Sequence, residues 1–134
     1  MTIVAILLIA IAASTMIVHA QENIPNLVGH WHGKSMMHFE NRGFGQGEQM
    51  SKLVIKKQEG RVFHGTKIWV SNDMEMHENF SGVIGIHNKK FYAAGHVDGL
   101  IMGDILAENK IVAYYVEDGE NAKVIMIEFN KAQQ

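Results

Sequence analysis

The sequence predicts an all-β protein, an eight-stranded antiparallel up-and-down barrel, and three observations carry that prediction. Apolar residues after position 28 recur in short alternating runs, and turn signals interrupt them every eight to fifteen residues. Thirteen glycines accompany a single proline, Pro25, which lies ahead of the first run. No helical period of useful length occurs among these runs, and short connections favour pairing of each strand with the next. Closing the strands into a ring removes the exposed edges that an open sheet would keep.

Turn residues divide the chain into its predicted strands. Residues 40–47 are rich in glycine and polar side chains, which predicts the longest loop, at the mouth of the barrel. Asp98-Gly99 predicts a tight hairpin, because both residues tolerate a positive φ. The predicted strands span residues 28–39, 50–57, 61–70, 74–85, 89–97, 100–106, 110–117 and 122–129.

Alternation within each strand predicts which side chains face the interior, since successive residues point to opposite sides of a sheet. The third strand leaves two options, because Phe63 and Trp69 share a face with Lys67 whereas Val62 and Ile68 share the other face. Inside the barrel, Lys67 would be a cation able to meet a ligand carboxylate, but we expect it at the mouth, in water. The inward set of the other strands consists of Leu53, Ile55, Phe91, Ala93, Gly95, Val97, Ile101, Ile105, Ile125, Ile127 and Phe129.

Residues 1–20 have the character of a signal peptide, so residues 21–134 would form a single β-barrel domain. The apolar run spans residues 3–13, and Val18 and Ala20 are small residues at the positions that a signal peptidase reads. We therefore expect cleavage after Ala20 and a secreted or periplasmic protein. No lysine or arginine precedes Lys34, so an uncleaved anchor and a misplaced start codon remain alternatives. The run is shorter than the about 20 residues of a membrane span, so no stable span is expected after cleavage.

Composition excludes several classes of function. The chain has no cysteine, which rules out thiolate catalysis, disulfide bonds and cysteine-based metal sites. The net charge is −2 and no basic stripe with interleaved aromatic residues occurs, so we expect no nucleic-acid partner. The carboxylates show no recognisable pairing, and no serine lies in a nucleophile-elbow motif. The sequence therefore favours a non-catalytic protein over an enzyme.

The triplet Gly29-His30-Trp31 opens the first predicted strand, and it resembles the start of the calycins, the superfamily of lipocalins, fatty-acid-binding proteins and avidins. The resemblance implies that Trp31 packs across one end of the barrel. The chain lacks the Thr-Asp-Tyr turn motif of true lipocalins, and with only Trp31 and Trp69 it lacks the several tryptophans of an avidin pocket. Retinoid or biotin specificity is therefore not implied. An alternative, based on analogy of fold alone, is a secreted eight-stranded barrel of the allene oxide cyclase and dirigent type.

The leading functional hypothesis is an exported, non-catalytic barrel that binds a small apolar or amphipathic ligand in its mouth. A barrel of eight strands is just wide enough to be filled by side chains or to hold one small ligand. A structural or interaction module, including a homo-oligomer formed through the outer sheet face, is an alternative. The predicted ligand-binding residues are Trp31, Met37, Phe39, Phe63, Trp69, Phe80, Phe91 and Tyr115.

Histidine and methionine support another alternative, a metal-binding protein. Residues 21–134 contain seven of each, and the densest group lies in the first predicted strand. Thioethers and imidazoles bind Cu(I), whereas imidazoles alone suit Zn(II) or Cu(II). The predicted metal ligands are His30, His32 and His38, and no other cofactor is expected.

Overall fold

A computed structural model describes residues 23–133, and it describes the side chains of all of these except residues 48–51. This part of the chain contains no helix, and so none that could cross a bilayer. Each strand pairs antiparallel with the next, and β8 pairs with β1, which closes the ring and confirms the predicted barrel. The expected signal peptide, residues 1–20, lies outside the described residues. The strands are β1 (Gly29–Phe39), β2 (Gly43–Glu59), β3 (Val62–Ser71), β4 (Met74–Ile84), β5 (Lys90–Gly95), β6 (Leu100–Ala107), β7 (Lys110–Glu117) and β8 (Lys123–Lys131).

The glycine-rich segment after β1 is the main departure from the predicted elements. Most of the loop expected at residues 40–47 is strand, because β2 already begins at Gly43. Its main chain pairs with β1, with Gly43 opposite Phe39 and Gly45 opposite Met37, and this ladder satisfies backbone groups that a loop would leave to water. The turn shrinks to residues 40–42 and ends at Gly43, whose φ is +72°.

The tight turns follow the residues that favour them. Asn72 and Asp73 have φ values of 51° and 60°, the left-handed pair that a two-residue hairpin between twisted strands requires. In the Asp98-Gly99 turn only Gly99 has a positive φ, of 81°. The prediction that Val97 faces inward is wrong, because β5 ends at Gly95 and Val97 lies in the following loop with 82% of its surface exposed.

Trp31 closes one end of the barrel. Its side chain is fully buried, and its indole Nε1 donates a hydrogen bond of 2.9 Å to the carbonyl of Leu27. The Gln58 side chain holds the segment before β1 against this end, because its amide oxygen accepts from the Leu27 N–H and its nitrogen donates to the Pro25 carbonyl. Trp31 belongs to a packed apolar core that also contains Phe63, Phe80, Phe91 and Phe129.

Strand parity places the remaining side chains much as expected. The inner face of β3 carries Phe63, Lys67 and Trp69, which resolves the ambiguity of that strand, because Phe63 is buried and Val62 is exposed. The expectation that Lys67 sits in water is wrong. Glu78 on β4 lies directly opposite Lys67, and its negative charge offsets the cost of burying the Lys67 ammonium inside the barrel.

Candidate functional site

A cavity of about 340 Å³ occupies the barrel at the end away from Trp31. It lies within the range of volumes in which small-molecule sites are found, about 300 to 1,000 Å³. Its wall is mainly apolar, because β2, β6, β7 and β8 each turn alternate aliphatic or aromatic residues inward. The apolar wall includes Leu53, Trp69, Ile101, Ala113, Ile125, Ile127 and Phe129.

A buried ion pair, Lys67 with Glu78, lies in this wall. The Lys67 Nζ is 2.9 Å from Glu78 Oε2, and the two side chains are only 13% and 7% exposed. The ammonium also lies 4.4 Å from the centre of the Tyr115 ring and 5.3 Å from the centre of the Trp69 ring. Both aromatic faces attract a cation, and the attraction grows where water is excluded. The charge of Lys67 is therefore held inside the cavity rather than in solvent.

Glu78 is anchored from the opposite side by the loop between β5 and β6. Its Oε1 accepts hydrogen bonds from the N–H groups of Val97, at 3.0 Å, and Asp98, at 3.3 Å. Burial by itself raises the pKa of Glu78, but the hydrogen bond from Lys67 and the backbone donors outweigh it, so the pKa is lowered. Gly95 leaves the space for this arrangement, since a Cβ there would collide with Glu78 Oε1 and with the Asp98 carbonyl.

Tyr115 forms the second polar group at the mouth. Its hydroxyl is 2.6 Å from Glu117 Oε2 and 3.1 Å from Asp98 Oδ1. Burial raises the pKa of Tyr115, and hydrogen bonding to the two carboxylates raises it further, so the hydroxyl stays protonated. Lys123 lies 2.7 Å from Glu117 Oε2. Burial raises the pKa of Glu117, but the hydrogen bonds from Lys123 and Tyr115 lower it overall.

The predicted ligand-binding residues divide between the cavity and the core. Trp69 and Tyr115 line the cavity, and Met37 borders a separate, more open depression with Met36, His38 and Phe44. Phe39, at the end of β1, lies under the guanidinium of Arg42 at 4.2 Å. The other four belong to the packed core: Trp31, Phe63, Phe80 and Phe91.

The predicted metal ligands lie along β1. His30 and His32 are exposed and share its outer face, and the ring of half-buried His38 contacts the Phe44 ring edge-on, with 4.6 Å between centroids. Among the side chains that the structure describes, no group of three or more histidines, cysteines, aspartates or glutamates could hold a metal ion. The metal site thus stays a prediction from the sequence.

Sequence reasoning missed the acidic residues of the cavity, although it named Tyr115 as a ligand-binding residue and considered Lys67 as an interior cation. Glu78 is one of the carboxylates for which the sequence showed no pairing, although it shares strand parity with Phe80, Gly82 and Ile84, all of which face inward. A carboxylate on the apolar face of a strand is a signal that an interior partner must exist. Identifying that partner as Lys67 requires the register of β3 against β4, which the sequence does not reveal.

Two solved structures similar to this chain are redesigned β-barrels. One, b11L5F_LGL, matches with a TM-score of 0.56 at 7% identity and covers 80% of this chain and 92% of its own. The other, mFAP0 bound to DFHBI, matches with a TM-score of 0.52 at 9% identity and covers 78% of this chain and 98% of its own. At such identities the likeness shows the fold alone. No protein-family model and no curated protein matches the chain.

Proposed function

We propose that this protein is a non-catalytic barrel that binds one small apolar or amphipathic molecule in the cavity at its open end. The observation that carries the proposal is the 340 Å³ cavity, walled by aliphatic and aromatic side chains and edged by a few ordered polar groups. Burial of apolar ligand surface in such a cavity is favourable, and the polar groups orient the bound molecule. The similarity to a redesigned barrel that holds DFHBI supports the same use of the fold.

Titration with 1-octanol tests this proposal, because octanol is neutral and small enough for the cavity. We expect saturable binding that shifts the methyl NMR signals of Ile101, Ile125 and Ile127, which line the cavity. Ala113→Leu places extra volume in the same space and should weaken binding about tenfold or more. Ala94→Leu is the matched control, since Ala94 is exposed on the outer face and its replacement should change nothing. Equal binding by the two variants would contradict the proposal.

Export and a calycin relationship are parts of the same proposal. The apolar run at residues 3–13 and the small residues Val18 and Ala20 support removal of a leader. Amino-terminal sequencing of protein from host cells should then begin at Gln21, and an intact start would contradict export by this route. The Gly29-x-Trp31 start and the position of Trp31 across the closed end support the relationship to calycins.

The outer face of the barrel favours a second candidate function, self-association. Tyr92, Met102 and Tyr114 are exposed and occupy successive positions across β5, β6 and β7, and the row continues through Met126 on β8 to exposed Met36 on β1. An apolar band of this kind is uncommon on a monomer. Light scattering after size exclusion should therefore show a dimer that Met102→Lys converts to a monomer. A monomer at every concentration would remove this candidate.

A further inference from the structure

We propose that the occupant of the cavity is a compact amphipathic anion whose carboxylate meets the ammonium of Lys67. The inference rests on the ligand-binding function proposed above and specifies the chemistry of the ligand. The cavity of about 340 Å³ has room for about ten water-sized groups, so the apolar body is a short chain or a small ring system.

In the Lys67–Glu78 ion pair, more hydrogen-bond donors than acceptors remain free for a ligand. An ammonium carries three N–H donors, and one of those on Lys67 points to Glu78 Oε2 at 2.9 Å. The same carboxylate uses Oε2 for Lys67 and Oε1 for the N–H groups of Val97 and Asp98. A ligand oxygen can therefore bond to Lys67 without breaking the pair. A ligand ammonium, by contrast, would find at most one free lone pair on Glu78, and it would have to reach that carboxylate beside the Lys67 ammonium.

The charges around the cavity nearly balance, so the preference for an anion rests on Lys67 itself. Lys52, Lys67 and Lys123 line the cavity together with Glu78 and Asp98. Glu117 pairs with Lys123 at the mouth, and the Tyr115 hydroxyl lies nearer to Glu117 than to Asp98. An anion placed against the Lys67 ammonium would be attracted to it, whereas a cation in the same place would be repelled.

Burial strengthens the contact that Lys67 can make. Its side chain is 13% exposed and that of Lys123 is 26% exposed, so water competes weakly for either ammonium. Hydrogen bonds between ionised partners are roughly twice as strong as neutral ones, and a poorly solvated site favours them further. Glu78 is the positioning residue here, since it holds the Lys67 ammonium at the wall, facing the remaining space.

Octanoate, 1-octanol and octylamine have the same alkyl chain and differ in the charge of the head group. Calorimetric titration of each at neutral pH therefore separates the contribution of charge to the affinity from that of apolar burial. We expect octanoate to bind about tenfold more tightly than octanol, and octylamine to bind weakest. If apolar burial alone governed binding, octanol would be preferred to octanoate, since it has no charge to desolvate.

A double substitution, Lys67→Met with Glu78→Gln, removes the cation without leaving a buried unpaired carboxylate. Octanoate should then bind no better than octanol, while octanol affinity stays within about twofold. Lys110→Met with Glu128→Gln is the matched control, because that pair is exposed on the outer face and 3.9 Å apart.

The outcomes separate the inference from the function on which it rests. Octylamine binding as tightly as octanoate, or an octanoate preference that survives the Lys67 and Glu78 substitutions, would overturn the anion while leaving a ligand-binding barrel. If the double variant does not fold, the ranking of the three probes on the unmodified protein decides the matter. Failure of all three probes to bind would overturn the proposed function itself.

Discussion

Glu78 shows at the scale of one residue how the barrel tolerates a charge inside. Its carboxylate is 7% exposed and is contacted by one ammonium and two backbone N–H groups. Each of these donors favours the ionised form, which offsets the loss of hydration. The cost of removing one member of such a buried pair is high, because the other member is left as an uncompensated charge.

The pH dependence of stability follows from the lowered pKa of Glu78. Because the folded state holds this pKa below its ordinary value of 4.5, the ionised carboxylate stabilises the fold above that pH, and the contribution is lost as the pH falls through the folded value. Glu78→Gln should therefore lower the free energy of unfolding by about 3 kcal/mol at pH 7 and by much less at pH 3.

Urea denaturation at a series of pH values measures this difference. Glu128→Gln serves as the control, because its pair with Lys110 is exposed and should contribute less than about 0.5 kcal/mol at any pH. A Glu78→Gln difference that does not change between pH 7 and pH 3 would show that the carboxylate contributes no ionic stabilisation.

At the scale of the elements, glycines let neighbouring strands coil closely enough to close a narrow ring. Gly103 on β6 lies opposite Phe91 on β5 and Ala113 on β7. A Cβ at this position would overlap the Phe91 ring and lie 2.6 Å from the Val112 carbonyl oxygen. The carbonyl belongs to a paired strand and cannot move away without breaking the ladder. Gly65 on β3 has the same relation to the Val54 carbonyl.

Gly103→Ala should consequently destabilise the barrel by about 2 kcal/mol, as overpacking in a core does. Chemical denaturation followed by tryptophan fluorescence provides the measurement. The matched control is Gly85→Ala, where the nearest atom to a new Cβ would be the Lys90 carbonyl at 3.5 Å, an ordinary contact. Similar losses for the two variants would mean that the crowding around Gly103 has no energetic consequence.

At the scale of the whole molecule, the closed ring gives every strand a neighbour on both sides, so we expect the fold to tolerate new chain ends in its loops. β1 and β8 are paired along Trp31 to Phe39, and the Ala132 N–H donates to the His30 carbonyl at 2.8 Å, so the two ends of the barrel sequence lie together. Every strand keeps the same two neighbours wherever the chain is cut in a loop.

A circular permutant tests this closure. Joining residue 133 to residue 23 by a short flexible linker and opening the chain between Gly119 and Glu120, which are exposed, should give a cooperatively folded barrel. We expect a loss of no more than about 2 kcal/mol, from loop closure and new termini. A cut inside β5, between Phe91 and Tyr92, should abolish folding because it divides a paired strand. Loss of folding in the loop permutant would contradict the ring.

The sequence by itself determined the number and order of the strands, most of the turns and most of the inner face of the barrel. These features depend on near neighbours along the chain: alternation assigns Ile125, Ile127 and Phe129 to one side of β8, and Asn72-Asp73 turns β3 into β4. The glycine-rich start of β2 escaped prediction, since only pairing with β1 makes it a strand.

Only the tertiary structure decided the candidate site. Lys67 and Glu78 meet because β3 and β4 pair in one particular register, and Tyr115 joins them from β7 across the interior. It also decided that Trp31, Phe63, Phe80 and Phe91 pack as a solid core while Trp69 and Tyr115 border open space. Strand parity is a local property of the backbone, whereas the way side chains fill a closed ring depends on every strand at once.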